Sequence, residues 1–210
     1  MQKEMESFSK FLELIRSHVY SEPDTELHTK VIDFMVPKII NEFFAESGKM
    51  LDVGCGSGYT LELFKAAGFD DLTGLTLSDE DVAATKARGF DAVKQDMSFT
   101  DFSDAEFDYL WVRHALEHSA FPLLTLIEFH RLLKTGGKAY IEMPSSQCTR
   151  LLEDYDNHYS IMGPRQWTCL MKRAGFEVKE TGEVRFKVFN KEDPTWEGEE
   201  VYEWYVLIKK

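Results

Sequence analysis

The segment Leu51-Asp52-Val53-Gly54-Cys55-Gly56-Ser57-Gly58-Tyr59 constrains this chain more than any other. A short apolar run, MLDV, leads straight into three glycines at alternate positions, and TLELFKAAG follows with helical spacing up to Gly68. Glycines between a buried strand and a helix let the backbone turn sharply and let a ligand approach it closely. The spacing is G-x-G-x-G, unlike the G-x-G-x-x-G of dinucleotide binders, because position 59 is Tyr59. Asp52, at the strand end, fits poorly beside a pyrophosphate and suits a ligand with a cationic end. A glycine-rich turn with no ligand is the plainer alternative.

Downstream the chain alternates between strand and helix patterns. LTGLTL reads as a second strand, EDVAATKARG as a helix, and Ala92-Val93 as a short third strand. An acidic loop with Asp96, Asp101, Asp104 and Asp108 precedes FDYLWV, a fourth strand. PLLTLIEFHRLLKTGG reads as a helix stopped by Gly136-Gly137, and KAYIEMP as the fifth strand. Such alternation means βαβ units and a parallel sheet covered on both faces. Pro164 to Ala174 reads as a helix, and GFEVKETGEVRF and VYEWYVLIKK as a closing pair of strands, favouring an antiparallel edge hairpin. Cys148 to Leu152 has helical character and Asn157-His158-Tyr159 the look of a loop.

Before the glycine loop, Phe8, Phe11, Leu12, Ile15 and Val19 form one helical stripe. Glu22-Pro23-Asp24 breaks it, with Asp24 as the cap of a second helix carrying Leu27, Val31, Phe34 and Met35. Pro37 should kink or restart that helix before Ile39, Ile40, Phe43 and Phe44, and Ser47-Gly48 should end it. These apolar residues read first as core and second as a lid over a substrate.

Composition narrows the function. Among 210 residues, 24 Lys and Arg stand against 37 Asp and Glu, a net charge of -13. That balance argues against tracking phosphates on nucleic acid, and against an anionic membrane surface. No apolar run approaches the roughly 20 residues of a spanning helix, and the opening MQKEMESFSK lacks a secretory layout, so a cytoplasmic setting is expected. Cys55, Cys148 and Cys169 have no metal-type spacing, and no metal site is assigned.

Taken together, these motifs resemble the class I S-adenosylmethionine-dependent methyltransferases, in their small-molecule branch. LDVGCGSG is similar to their first motif, GFDAVKQDM to the third, FDYLWVRHALEHS to the segment through the fourth strand, LLKTGGKAYIEMP to the turn into the fifth strand, and RAGFEV to the sixth. The likeness spans roughly residues 48 to 208 in the right order. It implies an α/β fold: a doubly wound, mostly parallel, seven-stranded Rossmann-like sheet with an antiparallel edge hairpin. Residues 1–47 would be a helical extension serving as a substrate lid, and residues 48–210 the cofactor-binding methyltransferase domain. S-adenosylmethionine would be the cofactor and a small molecule the acceptor, with no nucleic acid or membrane partner.

The resemblance also implies residue roles. Gly54, Gly56 and Gly58 would flank the methionine part of the cofactor and Asp52 would hold its amino group. Asp96 would accept from the adenine amino group, Met97 would pack near the ring, and Arg113 would lie near the cofactor through its backbone. Most of the family has an acidic residue at the end of the second strand to grip the ribose; here it is Thr76, in GLTLSDED. The cyclopropane fatty acid synthase branch has a similar run and pairs the threonine with a polar residue on the next helix. Asp81 has that offset, so Thr76 and Asp81 would share the diol.

His114-Ala115-Leu116-Glu117-His118 also fits H-x-x-E-H, a zinc-peptidase run in which two histidines share a helical face. A zinc metallopeptidase is therefore one alternative function, and a non-catalytic binder of the sulfonium cofactor another. Within the methyltransferase reading His118 is the candidate general base, against a purely structural role for its ring. His158 and Tyr159 would lie toward the substrate or in a solvated loop.

Overall fold

A computed structural model describes residues 2–19, 21, 25–44, 47–148, 157–189 and 197–210. Its strands are β1 (Met50–Val53), β2 (Leu72–Thr76), β3 (Asp91–Lys94), β4 (Phe107–Arg113), β5 (Leu133–Pro144), β6 (Phe176–Phe189) and β7 (Glu197–Lys209). They form one sheet in the order β3-β2-β1-β4-β5-β7-β6, parallel from β3 through β5, with β7 antiparallel to both β5 and β6. The helices are α1 (Gln2–Arg16), α2 (Glu26–Glu42), α3 (Tyr59–Ala66), α4 (Asp79–Ala87), α5 (Pro122–Leu132) and α6 (Pro164–Arg173). A parallel sheet needs such helices, because crossovers bury both of its faces.

The strand sequences show that two-sided burial directly. In β4, Leu110 and Val112 join a core cluster with Leu126 and Phe129 of α5 and Trp167 and Met171 of α6. The alternate residues, Tyr109 and Trp111, join a second cluster with Met35 and Ile39 of α2 and Phe64 of α3. Successive side chains of a strand point to opposite faces, so a run of consecutive buried residues is what this position demands. Asp52 shares the face of Met50, and is the carboxylate that β1 buries among these apolar neighbours.

Several local expectations need correction. Thr25, not Asp24, caps α2: its side chain accepts from the His28 backbone N–H, while residues 22–24 lie outside the described residues. Pro37 does not restart the helix, which runs through it to Glu42 with the ring on the exposed side. α5 stops at Leu132, five residues before Gly137. Leu133 is extended, pairs with Phe107 and is fully buried, so core packing pulls this residue into β5, and Gly136 turns at φ 79°. The helical reading of 148–152 falls largely on residues outside the described set. In the acidic loop Lys49 binds Glu106, Lys134 binds Asp108, and Arg131 binds Asp104, whose side chain stays 81% exposed.

The two N-terminal helices differ. α2 buries Val31, Ile32, Met35, Val36 and Ile39 in the core. α1 is largely exposed; its Phe8 and Phe11 rest on Phe99 and Phe121, with ring centroids 5.3–6.2 Å apart. No helix among the described residues is long and apolar enough to cross a membrane.

Phe64 sits at the centre of the α2–α3 face, fully buried, 5.3 Å from Phe69 and 5.2 Å from Trp111 between ring centroids. Phe64→Ala should cost about 3–5 kcal/mol in urea unfolding, the usual range for losing a buried phenyl. A loss below about 1 kcal/mol would mean that this face is not close-packed.

Candidate active site

The strand order reverses between β1 and β4, and a crevice opens at their carboxyl ends, where α/β sheets hold ligands. Asp52, Gly54, Gly56, Thr76, Asp81, Met97, Arg113 and His118 all line it; Gly58 and Asp96 do not. The glycine loop is tied to β2, since Gly54 and Cys55 both donate to the Leu75 carbonyl, at 2.8 and 3.2 Å.

The three glycines divide their work. All have positive φ, 76°, 50° and 83°. A Cβ on Gly54 would meet Ala115 Cβ at 2.9 Å, and one on Gly58 would meet Thr85 of α4 at 3.0–3.2 Å. These two serve close packing. A Cβ on Gly56 would meet nothing within 4 Å, and Gly56 lines the crevice, so a side chain there enters ligand space. Cys55 beside them is inert: burial pushes its thiol up to about 12.

Asp52 is 2% exposed and its Oδ2 makes no hydrogen bond. Burial pushes its carboxyl up to about 7, against the opposing pull of Arg113. Arg113 itself is committed to Glu142 of β5, Nε to Oε1 2.6 Å, with the two side chains 8% and 0% exposed. Burial is the largest single influence on Glu142 and raises it; Arg113, His114 and Tyr140 together exceed it and bring the carboxyl to about 2. His114 follows in left-handed backbone, φ 49°, with Nε2 3.6 Å from Glu142 and Nδ1 3.7 Å from Glu117. Burial and then the Arg113 charge press its imidazole down to about 3, so it is neutral.

At the end of β2, Thr76 Oγ1 donates to Asp81 Oδ2 at 3.2 Å, Thr76 also accepts from the Ser78 N–H, and Ser78 caps α4. Ser21 Oγ donates to Asp81 Oδ1 at 2.5 Å. Asp96 takes the Ser98 N–H on Oδ1 and the Arg16 guanidinium of α1 on Oδ2, Nε and Nη2 each at 3.0 Å. Gln95, Leu77 and His28 line the crevice without having been singled out by the sequence. No local signal marks them, because a crevice wall is assembled by topology.

The H-x-x-E-H face does not form. Only Leu116–His118 is helical, as a short 3-10 turn, and the left-handed His114 lies outside it, so the two histidines do not share a helical face. His118 donates its Nδ1–H to the Asn157 carbonyl, 3.1 Å away, and burial lowers its pKa, partly offset by that carbonyl. His158 comes beside it, ring centroids 4.8 Å apart, and burial together with His118 takes it down to about 4. Among the described residues, Glu117, His118 and His158 bring ligand-type atoms within 4.8 Å of one another. Tyr159 lines the crevice, as does the core residue Trp111.

Comparison with known proteins places this geometry in a family. Residues 25–181 match the methyltransferase domain model, and the chain belongs to that family. It is 35% identical over 92 residues to the malonyl-(acyl-carrier protein) O-methyltransferase of Erwinia billingiae, covering 43% of this chain and 36% of that protein. It is 33% identical over 108 residues to the demethylmenaquinone methyltransferase of Staphylococcus saprophyticus, covering 48% and 46%. These matches thus span less than half of either curated relative. Among solved structures, a SAM-dependent methyltransferase from Archaeoglobus fulgidus shares the fold at TM-score 0.67 and 18% identity, over 86% of this chain and 94% of that one. The cyclase SpnF does so at 0.67 and 19%, over 91% and 86%, so the fold by itself does not decide the chemistry.

The raised Asp52 pKa has a stability consequence. The native state holds a proton between about pH 4 and 7 that the unfolded state has released, so stability falls as pH rises through that window. Asp52→Asn lacks this loss. Its stability relative to the parent in urea should climb from pH 4 to 7 and level off above; parallel profiles would contradict the assignment.

Proposed function

We propose that the chain uses S-adenosylmethionine to methylate a small-molecule acceptor at oxygen or nitrogen. The observation that carries the reading is Asp52, a buried carboxylate with an oxygen lacking a hydrogen bond, beside a Gly56 whose side-chain space is open crevice. The residues present fit the cofactor. Asp52 suits its ammonium, the Thr76–Asp81 pair its ribose diol, and Asp96 with Met97 its adenine. Gly54 and Gly58 act through packing, and Arg113 through its place at the end of β4. When bound, S-adenosylmethionine supplies an electrophilic methyl group.

The chain's own contribution is proximity and a proton acceptor. His118, held by its Nδ1–H on the Asn157 carbonyl, is the residue that takes the acceptor's proton. The curated relatives are named for methylating malonyl-(acyl-carrier protein) and demethylmenaquinone, which supports a metabolite-type acceptor. A non-catalytic cofactor binder is the second reading, favoured by the Thr76 departure alone; transfer of label from the cofactor to any acceptor excludes it.

Residues 1–47 act as a lid in this reading. Ile15, His18 and Val19 line the crevice, and Asn157 Nδ2 donates to the His18 carbonyl at 3.2 Å. Arg16 and Ser21 hold Asp96 and Asp81, so the lid touches both carboxylates assigned to the adenosine half.

S-adenosylhomocysteine should raise the Tm of the parent protein by mass action on the native state. Gly56→Val should remain folded and show no shift; an equal shift in both would place the ligand elsewhere. His118→Ala should keep cofactor affinity and lower kcat by roughly 10²–10⁴-fold, the range for general-base loss. Full turnover in that variant would remove His118 from the chemistry.

A further inference from the structure

Three ionisable side chains stand in a row across β1, β4 and β5. In the parallel register Asp52 lies opposite Trp111, and Arg113 follows two residues later on β4, so both side chains leave the same face of the sheet. Glu142 of β5 is the register partner of Arg113 and shares that face. The row reads carboxyl, guanidinium, carboxyl. Asp52 and Arg113 line the crevice, whereas Glu142 is fully buried.

The row is unfinished between its first two members. Arg113 meets Glu142 through Nε at 2.6 Å, but its Nη2 is buried and makes no hydrogen bond. Asp52 Oδ2 is buried without one as well. No ion pair joins Asp52 to Arg113 among the described residues, although the guanidinium charge reaches the carboxyl and restrains its pKa. Glu142 does not exhaust the guanidinium: it also accepts from Tyr140 at 2.6 Å, and a guanidinium holds five N–H donors in a rigid fork. A buried donor and a buried acceptor left unsatisfied are costly. A ligand with a cation and an anion on one carbon satisfies both.

We propose that Arg113 receives the α-carboxylate of the S-adenosyl ligand on Nη2 while Asp52 receives its ammonium, so that the two select an intact α-amino acid end. The proposal rests on the methyl-transfer reading and gives the Arg113 side chain a role within it. Opposite charges then alternate without a break from Asp52 through the ligand to Arg113 and Glu142. A guanidinium on a carboxylate is among the stronger hydrogen-bonded contacts available to a protein. Glu142 is a positioning residue, holding the guanidinium by Nε and leaving Nη2 to the ligand. Overall electrostatics favours the opposite choice. The chain carries a net charge of -13, and an S-adenosyl ligand stripped of its carboxylate is the more positive one. A preference for the zwitterion therefore requires a specific cationic partner.

The test is calorimetric and needs no turnover. S-adenosylhomocysteine is compared at pH 7 with its decarboxylated form, S-adenosyl-3-thiopropylamine, which keeps the ammonium and lacks the carboxylate. The parent protein should bind S-adenosylhomocysteine at least about tenfold more tightly, the low end for a hydrogen bond to a charged group. Arg113→Lys keeps a cation for Glu142 but has no second nitrogen, and should erase most of that preference by weakening S-adenosylhomocysteine alone. Arg113→Gln combined with Glu142→Gln leaves no unpaired buried charge, should erase the preference too, and keeps the test valid if Arg113→Lys does not fold. Asp52→Asn should weaken both ligands by a similar factor, since both carry the ammonium. Equal affinity of the two ligands for the parent, or a preference that survives the Arg113 variants, overturns the proposal. Binding of neither ligand defeats the S-adenosyl reading itself, and this assignment with it.

Discussion

The buried pair between Arg113 and Glu142 sets the electrical character of the whole crevice. It joins the ends of β4 and β5 at 2.6 Å with almost no solvent on either side chain. Two such charges are tolerable in the interior only because each neutralises the other and further groups assist. Tyr140 donates to Glu142 at 2.6 Å, and the Tyr202 ring lies 5.8 Å from the guanidinium. The field of Arg113 restrains the rise of Asp52 and presses His114 toward neutrality. Burial is the larger influence on both groups, and with the pair it leaves a carboxyl that titrates near neutrality at one end of the crevice and an uncharged imidazole at the other.

The sheet supplies the frame for that arrangement. Reversal of strand order at β1 and β4 opens the carboxyl edge, and the glycine loop is pinned to Leu75 so that Gly56 faces the space between them. Residues ahead of α2 reach the same space: Arg16 of α1 binds Asp96, Ser21 donates to Asp81, and the His18 carbonyl accepts from Asn157.

Features governed by local spacing were legible in the sequence. The strand–glycine–helix turn, the alternation of elements and the closing hairpin all follow from periodicity and turn residues; the Thr76–Asp81 contact was implied only by the family resemblance. Features governed by packing were not. Leu133 looks like one more helical residue until the core claims it for β5, and Gly58 looks like a ligand contact until Thr85 is seen behind it. His114 appeared as half of a zinc motif, yet its left-handed backbone turns it toward His28 and Tyr202, residues from opposite ends of the chain. Such convergence leaves no trace in local spacing.

The central claim is that Asp52 receives the cationic end of an S-adenosyl ligand. Titration calorimetry with S-adenosylhomocysteine near pH 7, run in two buffers of different ionisation enthalpy, reads affinity and proton release together. An ammonium beside Asp52 favours its ionised form, so binding should be stoichiometric, expel up to about half a proton per ligand at pH 7 and tighten as pH rises through 7. Asp52→Asn should bind more weakly with no proton released. Binding with identical proton balance in both proteins, or no binding at all, would contradict the account.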